Sequence, residues 1–241
     1  MSQIPWLENN HPLFPATHRA LSYPNGLLAA GGQLTVEWLF NSYRRGIFPW
    51  FSDDEPIMWW TPSPRMVLKP ASLHLGRTLK KALKKNPFDE ITFNLAFDQV
   101  IAYCSAVPRQ DQGTWITDEM ILAYQQAFRS GLAHSVEVWR DGSLIGGLYG
   151  IAIGSIFFGE SMFSLEPNGS KYALIALVKS QPRLSLIDCQ MHTPYLESMG
   201  AQEIPRRDFE LLLQRGVGET QLQSDPLSQL DWSQRLVPED L

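Results

Sequence analysis

The chain is poor in every feature that ties a protein to a membrane, a metal or an oxidising compartment. It has 241 residues and two cysteines. Cys104 and Cys189 lie far apart and in no C-x-x-C pairing, which points to buried free thiols rather than a disulfide or a metal site. No run of about 18 consecutive apolar residues occurs, so no membrane-spanning helix is expected. The opening residues MSQIPWLENN have neither the basic nor the apolar region of a signal peptide, and a cytoplasmic location is expected. His11, His18, His74, His134 and His192 show no ligand spacing, so no metal is expected. Internal repeats and low-complexity segments are also missing.

Basic charge is in deficit too. The formal net charge is −5, which argues against a general nucleic-acid binder. The acid, however, is concentrated at one end. After Arg215 the chain carries Glu219, Asp225, Asp231, Glu239 and Asp240 against Arg235 alone. Within the body, Arg77, Lys80, Lys81, Lys84 and Lys85 form a basic run with no acid between them. Their spacing of i, i+3, i+4, i+7 and i+8 places them on one stripe of a helix, which suits phosphate binding better than a randomly solvated face.

What is present reads as mixed α/β. Residues 1–64 are rich in Pro, Gly and aromatics and form a small first domain, with TVEWLFNSYRRG as a helix capped by Thr35 and stopped by Gly46. The prolines of WWTPSPR favour an extended link, so the boundary is set near residue 64. From residue 65 to 241 strands and helices are regular, with an acidic tail from about 216. Ser72 is a candidate N-cap for the basic helix, Thr117 caps TDEMILAYQQAFRSG, and Asp141-Gly142 is a hairpin turn. HSVEVWRD, LIGGLYGIAI and SIFFGESMF form a meander. A helix and the strand LSLIDCQ follow, giving a β-α-β crossover.

Two strands carry chemistry. In LIDCQ, strand alternation puts Asp188 and Gln190 on one face, and in FFGESMF it puts Phe158, Glu160 and Met162 on one face. A right-handed crossover sets both strands in one sheet and gathers Glu160, Asp188 and Gln190 beside apolar side chains, the usual form of a small-molecule site. Buried polar groups need partners, so a structural hydrogen-bond network accounts for the same residues, and Met162 and Phe158 also fit an ordinary core.

The meander and crossover resemble the acyltransferase fold of the GNAT superfamily, a mixed central sheet in a C-terminal domain. The usual coenzyme A turn, [RQ]-x-x-G-x-[GA], is replaced by Leu165-Glu166-Pro167-Asn168-Gly169-Ser170. That departure suggests acyl transfer from another donor. A closer resemblance follows from PNGLLAAGG, YRRGIFPWF, PIMWWTPSPR, GTWIT, HSVEVW, GGLYG, FFGESMFS, LIDCQ and GAQEIPRRDF. In this order they resemble the leucyl/phenylalanyl-tRNA–protein transferases over about residues 24 to 210.

The resemblance implies a tRNA-dependent aminoacyltransferase. It moves Leu or Phe, less often Met, from its tRNA to the N-terminal amine of proteins that begin with Arg or Lys, marking them for degradation through the N-degron pathway. It implies Asp188, Gln190 and Glu160 as catalytic residues, with Asp188 holding the Gln190 amide or relaying a proton. The aminoacyl pocket is expected from Met162, Phe158, Leu148 and Leu177, although the family carries Met and Phe at the last two positions. Trp50 and Trp115 are expected along the adenosine cleft, with Tyr43, Tyr124 and Thr193 as further candidates. No cofactor is implied beyond aminoacyl-tRNA, and a monomer is expected. On the residues alone an acetyl-CoA-type amine acyltransferase and a non-catalytic tRNA- or N-terminus-binding adaptor stay open.

Overall fold

The structure is a computed structural model and describes residues 4–85, 87–106 and 116–241. Trp115 lies outside them. Two sheets form. The first contains β1 (Trp6–Leu7), β2 (Leu27–Gly31), β3 (Phe48–Pro49) and β4 (Met58–Trp60), ordered β1-β2-β4-β3. Helix α1 (Val36–Tyr43) leads from β2 into β3, and the Thr35 side chain accepts the Trp38 main-chain N–H at its start. That bond satisfies one of the donors a helix N-terminus leaves open.

The second sheet has eight strands: β5 (Arg65–Leu68), β6 (Glu90–Phe93), β7 (Ala133–Arg140), β8 (Ser143–Ile153), β9 (Ile156–Ser164), β10 (Leu186–Gln190), β11 (Gln202–Ile204) and β12 (Arg235–Leu236). Their order is β11-β5-β10-β9-β8-β7-β6-β12. The other helices are α2 (Arg77–Leu83), α3 (Phe97–Ala106), α4 (Asp118–Arg129), α5 (Gly169–Ser180), α6 (Pro194–Ser198) and α7 (Arg206–Val217). The fold is thus of the mixed α/β class expected from the sequence. Asp141 and Gly142 join β7 to β8 with positive φ at both residues, the conformation that matches a two-residue hairpin turn to the twist of its strands.

Two apolar layers cover the eight-stranded sheet. One unites the first sheet with α1, α3, α4 and α7, and includes Trp59, Phe97, Tyr124 and Phe209. The other lies under α5 and α2, and includes Leu79, Leu174, Ile175 and Met199. Helix α5 carries the chain from β9 to β10, which pair in parallel, with Asp188 beside Phe158. Beyond α7 the acidic tail packs on the body: Leu227 and Leu230 are buried, β12 pairs with β6, and Trp232 stacks on His134 at 4.0 Å between ring centres. Among the described residues no helix is long and apolar enough to cross a membrane.

The basic helix starts later than its sequence pattern suggests. Ser72 is not its cap but ends a 3-10 turn at Pro70–Ser72, and Gly76 occupies the cap position of α2. The main-chain N–H of His74 donates to the Met199 carbonyl at 2.9 Å, which ties the intervening residues to the end of α6. Arg77, Lys80 and Lys81 are helical, Lys84 stands at the C-cap, and Lys85 follows in a turn. All five are exposed, and none forms an ion pair with a described acid.

Candidate active site

The parallel pairing of β9 and β10 stops at Phe158 and Asp188. Past that point Gly159–Met162 and Cys189–Gln190 line a cavity of about 470 Å³. Ligands commonly bind at the C-terminal ends of parallel strands, where the chains part. The walls are largely apolar, built from Leu148, Phe157, Met162, Leu174 and Ile187. Phe48 and Trp50 contribute from the first sheet, and Thr193 and Tyr195 from the start of α6. Thr193 also caps α6 by accepting the Leu196 N–H at 3.2 Å.

Two irregularities aim the polar groups. The pairing of β8 with β9 steps from Tyr149↔Ser161 to Gly150↔Gly159, which leaves Glu160 as an extra residue. A bulge of this kind reverses the side-chain phase of the strand. Phe158 consequently faces the first layer, where it meets Tyr43 edge-on at 5.3 Å, while Phe157 joins Leu148 and Met162 at the cavity. In β10 the pairing to β5 shifts between Asp188 and Gln190, and Gln190 has a φ of 62°. Asp188 therefore points to the first layer, whereas Cys189 and Gln190 both line the cavity.

Glu160 is buried and accepts three hydrogen bonds. Tyr43 and Tyr124 donate at 2.7 Å each, and the Gln190 side-chain amide donates at 2.8 Å. The two tyrosine oxygens stand 2.5 Å apart. Burial pushes the Glu160 carboxyl up from 4.5 to about 7, against the lowering effect of its tyrosine and glutamine donors. Because the Gln190 N–H is committed to Glu160, its side-chain oxygen remains to accept from a guest.

Asp188 is handled in the opposite manner. Arg65, fully buried at the start of β5, donates from Nε at 2.8 Å and from Nη2 at 2.6 Å to its two oxygens. The same Asp188 Oδ1 accepts the Gln190 main-chain N–H at 3.0 Å.

These positions revise several expectations. Asp188 holds the main chain of Gln190 rather than its amide side chain, which is bound to Glu160. Phe158 is replaced at the cavity by Phe157. Leu177 is fully buried in the second layer, and Leu174, about a turn earlier on α5, stands at the wall. Tyr43 and Tyr124 are fully buried behind Glu160 and support it instead of lining an adenosine cleft. Trp50, Thr193, Leu148 and Met162 do line the cavity. Sequence reasoning missed Arg65, though a cation opening the buried run RMVL signals a hidden acid, and Gly159 inside a strand was the available sign of the bulge. Cys189 lines the wall as a protonated thiol, since burial pushes its pKa up. Among the described residues no group of three or more His, Cys, Asp or Glu could hold a metal.

Known proteins share this sequence pattern over most of the chain. A family model for leucyl/phenylalanyl-tRNA protein transferase matches residues 67–214, and one for the N-terminal domain of the same proteins matches residues 32–63. The chain belongs to the leucyl/phenylalanyl-tRNA–protein transferase family. Relatives bearing that name include one from Teredinibacter turnerae, 52% identical over 90% of this chain and 85% of its own length. One from Azoarcus sp. is 54% identical over 90% and 92%, and one from Hydrogenovibrio crunogenus is 48% identical over 94% and 90%. Membership in the leucyl/phenylalanyl-tRNA–protein transferases makes the chain an aminoacyltransferase.

Proposed function

We propose that the chain transfers Leu or Phe, and less readily Met, from aminoacyl-tRNA to the N-terminal α-amine of proteins that begin with Arg or Lys, giving them a destabilising N-terminus. The observation that carries this reading is the apolar cavity with Glu160 and Gln190 in its wall. Its apolar side chains suit Leu or Phe, and the flexible Met162 can adapt to either. The donor ester is already activated, so the reaction calls for no cofactor. The enzyme acts in the cytoplasm as a monomer.

The chemistry is aminolysis. The neutral amine attacks the ester carbonyl, a C–N bond forms, the ester C–O bond breaks, the amine loses a proton and the ribose oxygen gains one. An α-amine has a pKa of about 7.7 to 8.0, so a useful fraction is free base near neutrality. The Gln190 side-chain oxygen accepts an N–H of the attacking amine and fixes its approach. Glu160, poised at about 7, takes the amine's proton and returns it to the departing ribose oxygen, a role suited to a pKa near the working pH. Asp188 supports Gln190 through the main chain.

Trp50 stacks on the terminal adenine, an interaction worth about 1–3 kcal/mol. Arg77, Lys80, Lys81, Lys84 and Lys85 contact the tRNA backbone. The test follows radiolabelled Leu and Phe from charged tRNA to acceptors that differ only in their first residue. Wild type labels Arg and Lys acceptors, and Gln190→Ala loses transfer while keeping tRNA binding. Equal transfer by both proteins returns Gln190 to a structural role, and no transfer by wild type supports an adaptor.

A further inference from the structure

Arg65 is not itself part of the cavity wall, yet it is built as a fixed support. Its guanidinium lies between the rings of Phe48 and Phe209, 4.8 and 4.7 Å from their centres. Phe48 belongs to the first sheet and Phe209 to α7, so segments from opposite ends of the chain hold one cation. The planar fork then meets Asp188 through two parallel hydrogen bonds, a geometry that fixes direction as well as charge. Asp188 Oδ1 is shared: it takes Arg65 Nε on one side and the Gln190 main-chain N–H on the other.

The shared oxygen matters because Gln190 sits at a φ of 62°. A side chain larger than glycine adopts this left-handed conformation only when its surroundings impose it. The bond to Asp188 holds the bulge at the residue that must turn.

We propose that Arg65 is a positioning residue for transfer: stacked between Phe48 and Phe209, it locks Asp188, and Asp188 locks the turned main chain that aims Gln190 into the cavity. The inference rests on the reading that Gln190 orients the attacking amine. Arg65 acts only through that residue. A looser cation at position 65 leaves tRNA binding intact and lowers the turnover step.

A double-mutant cycle separates this role from general stabilisation, with kcat, KM for charged tRNA and Tm measured for Arg65→Lys, Gln190→Ala and the double variant. Lysine keeps the charge but not the fork. The expected result is a fall in kcat of about tenfold or more for Arg65→Lys, of the size that sub-ångström to ångström misplacement produces, with KM within about twofold. In the Gln190→Ala background the same change costs almost nothing, the signature of two residues acting as a unit. A full, additive loss in that background overturns the proposal, as does a rise in KM with unchanged kcat. If Arg65→Lys fails to fold, Phe209→Leu, which removes one face of the sandwich, is read in the same cycle with the same two outcomes. Wild-type transfer is the control for the functional reading: its absence counts against that reading, whereas additivity in an active enzyme counts against the clamp alone.

Discussion

Two buried carboxylates on neighbouring strands are treated in opposite ways. Asp188 faces a guanidinium with two matched donors, and that guanidinium packs against two aromatic rings. Glu160 faces only neutral donors: the hydroxyls of Tyr43 and Tyr124 and the amide of Gln190. A carboxylate held by two hydrogen bonds from a buried guanidinium serves as framework. A carboxyl surrounded by neutral donors, with burial opposing ionisation, gains and loses a proton near pH 7. The framework charge and the movable proton meet at Gln190, whose main chain is held by the first and whose side chain is held by the second.

Breaking the framework side has the largest expected effect. Asp188→Ala strands Arg65 without its partner in the interior, and removing one member of a buried pair costs about 3–5 kcal/mol. Chemical denaturation should show that loss together with abolished transfer. A stability close to wild type would show that Arg65 finds water or another acceptor.

The movable side should appear as a pH effect. The Glu160 pKa is raised in the folded state, so its contribution to stability is fully present below about 4.5 and is lost as pH rises through about 7. The rise from 4.5 to about 7 corresponds to on the order of 3 kcal/mol. Glu160→Gln removes the titration. Its stability relative to wild type should therefore climb from about pH 4.5 to about 7 and level off above, read from paired denaturation curves; a difference that stays flat would place Glu160 in an environment less buried than described. Glu137 is also raised by burial, but it is present in both proteins and cancels in the comparison.

Smaller effects sharpen the contrast. Tyr124→Phe removes one donor to Glu160, at a cost of about 1 kcal/mol for a buried hydrogen bond, and moves the Glu160 titration upward because that donor favours the charged form. Carbon-detected NMR of the carboxyl would read the shift, and a downward movement would contradict the assigned direction of the bond. Outside both carboxylates, replacing Lys80 and Lys84 by Gln should weaken tRNA binding and reduce the slope of log affinity against log salt by about 1 for each phosphate no longer neutralised. An unchanged slope would remove α2 from the tRNA surface.

Much of this arrangement was legible from the sequence. The meander, the crossover and the polar positions of FFGESMF and LIDCQ follow from period and turn residues, and they correctly brought Glu160 next to Gln190. The faces did not all follow, because one extra residue at Glu160 reverses the phase of β9 and the positive φ at Gln190 ends the regular run of β10. Phe158 and Phe157 exchange roles for that reason alone. Arg65 was hidden by distance, since it meets Asp188 across 123 positions of chain and no periodicity links the two. The first sheet was difficult for a different reason: β1 and β3 are two residues each, too short to display alternation.

The measurement that bears most directly on the account is the pH dependence of single-turnover transfer from charged tRNA, compared between wild type and Glu160→Gln with an acceptor beginning in Arg. The account predicts a wild-type rate that rises through a limb near pH 7 and a second near the pKa of the acceptor amine, with only the second surviving in the slower variant. The same lower limb in both proteins would show that the proton leaves by another group, and Glu160 would then be part of the pocket wall and nothing more.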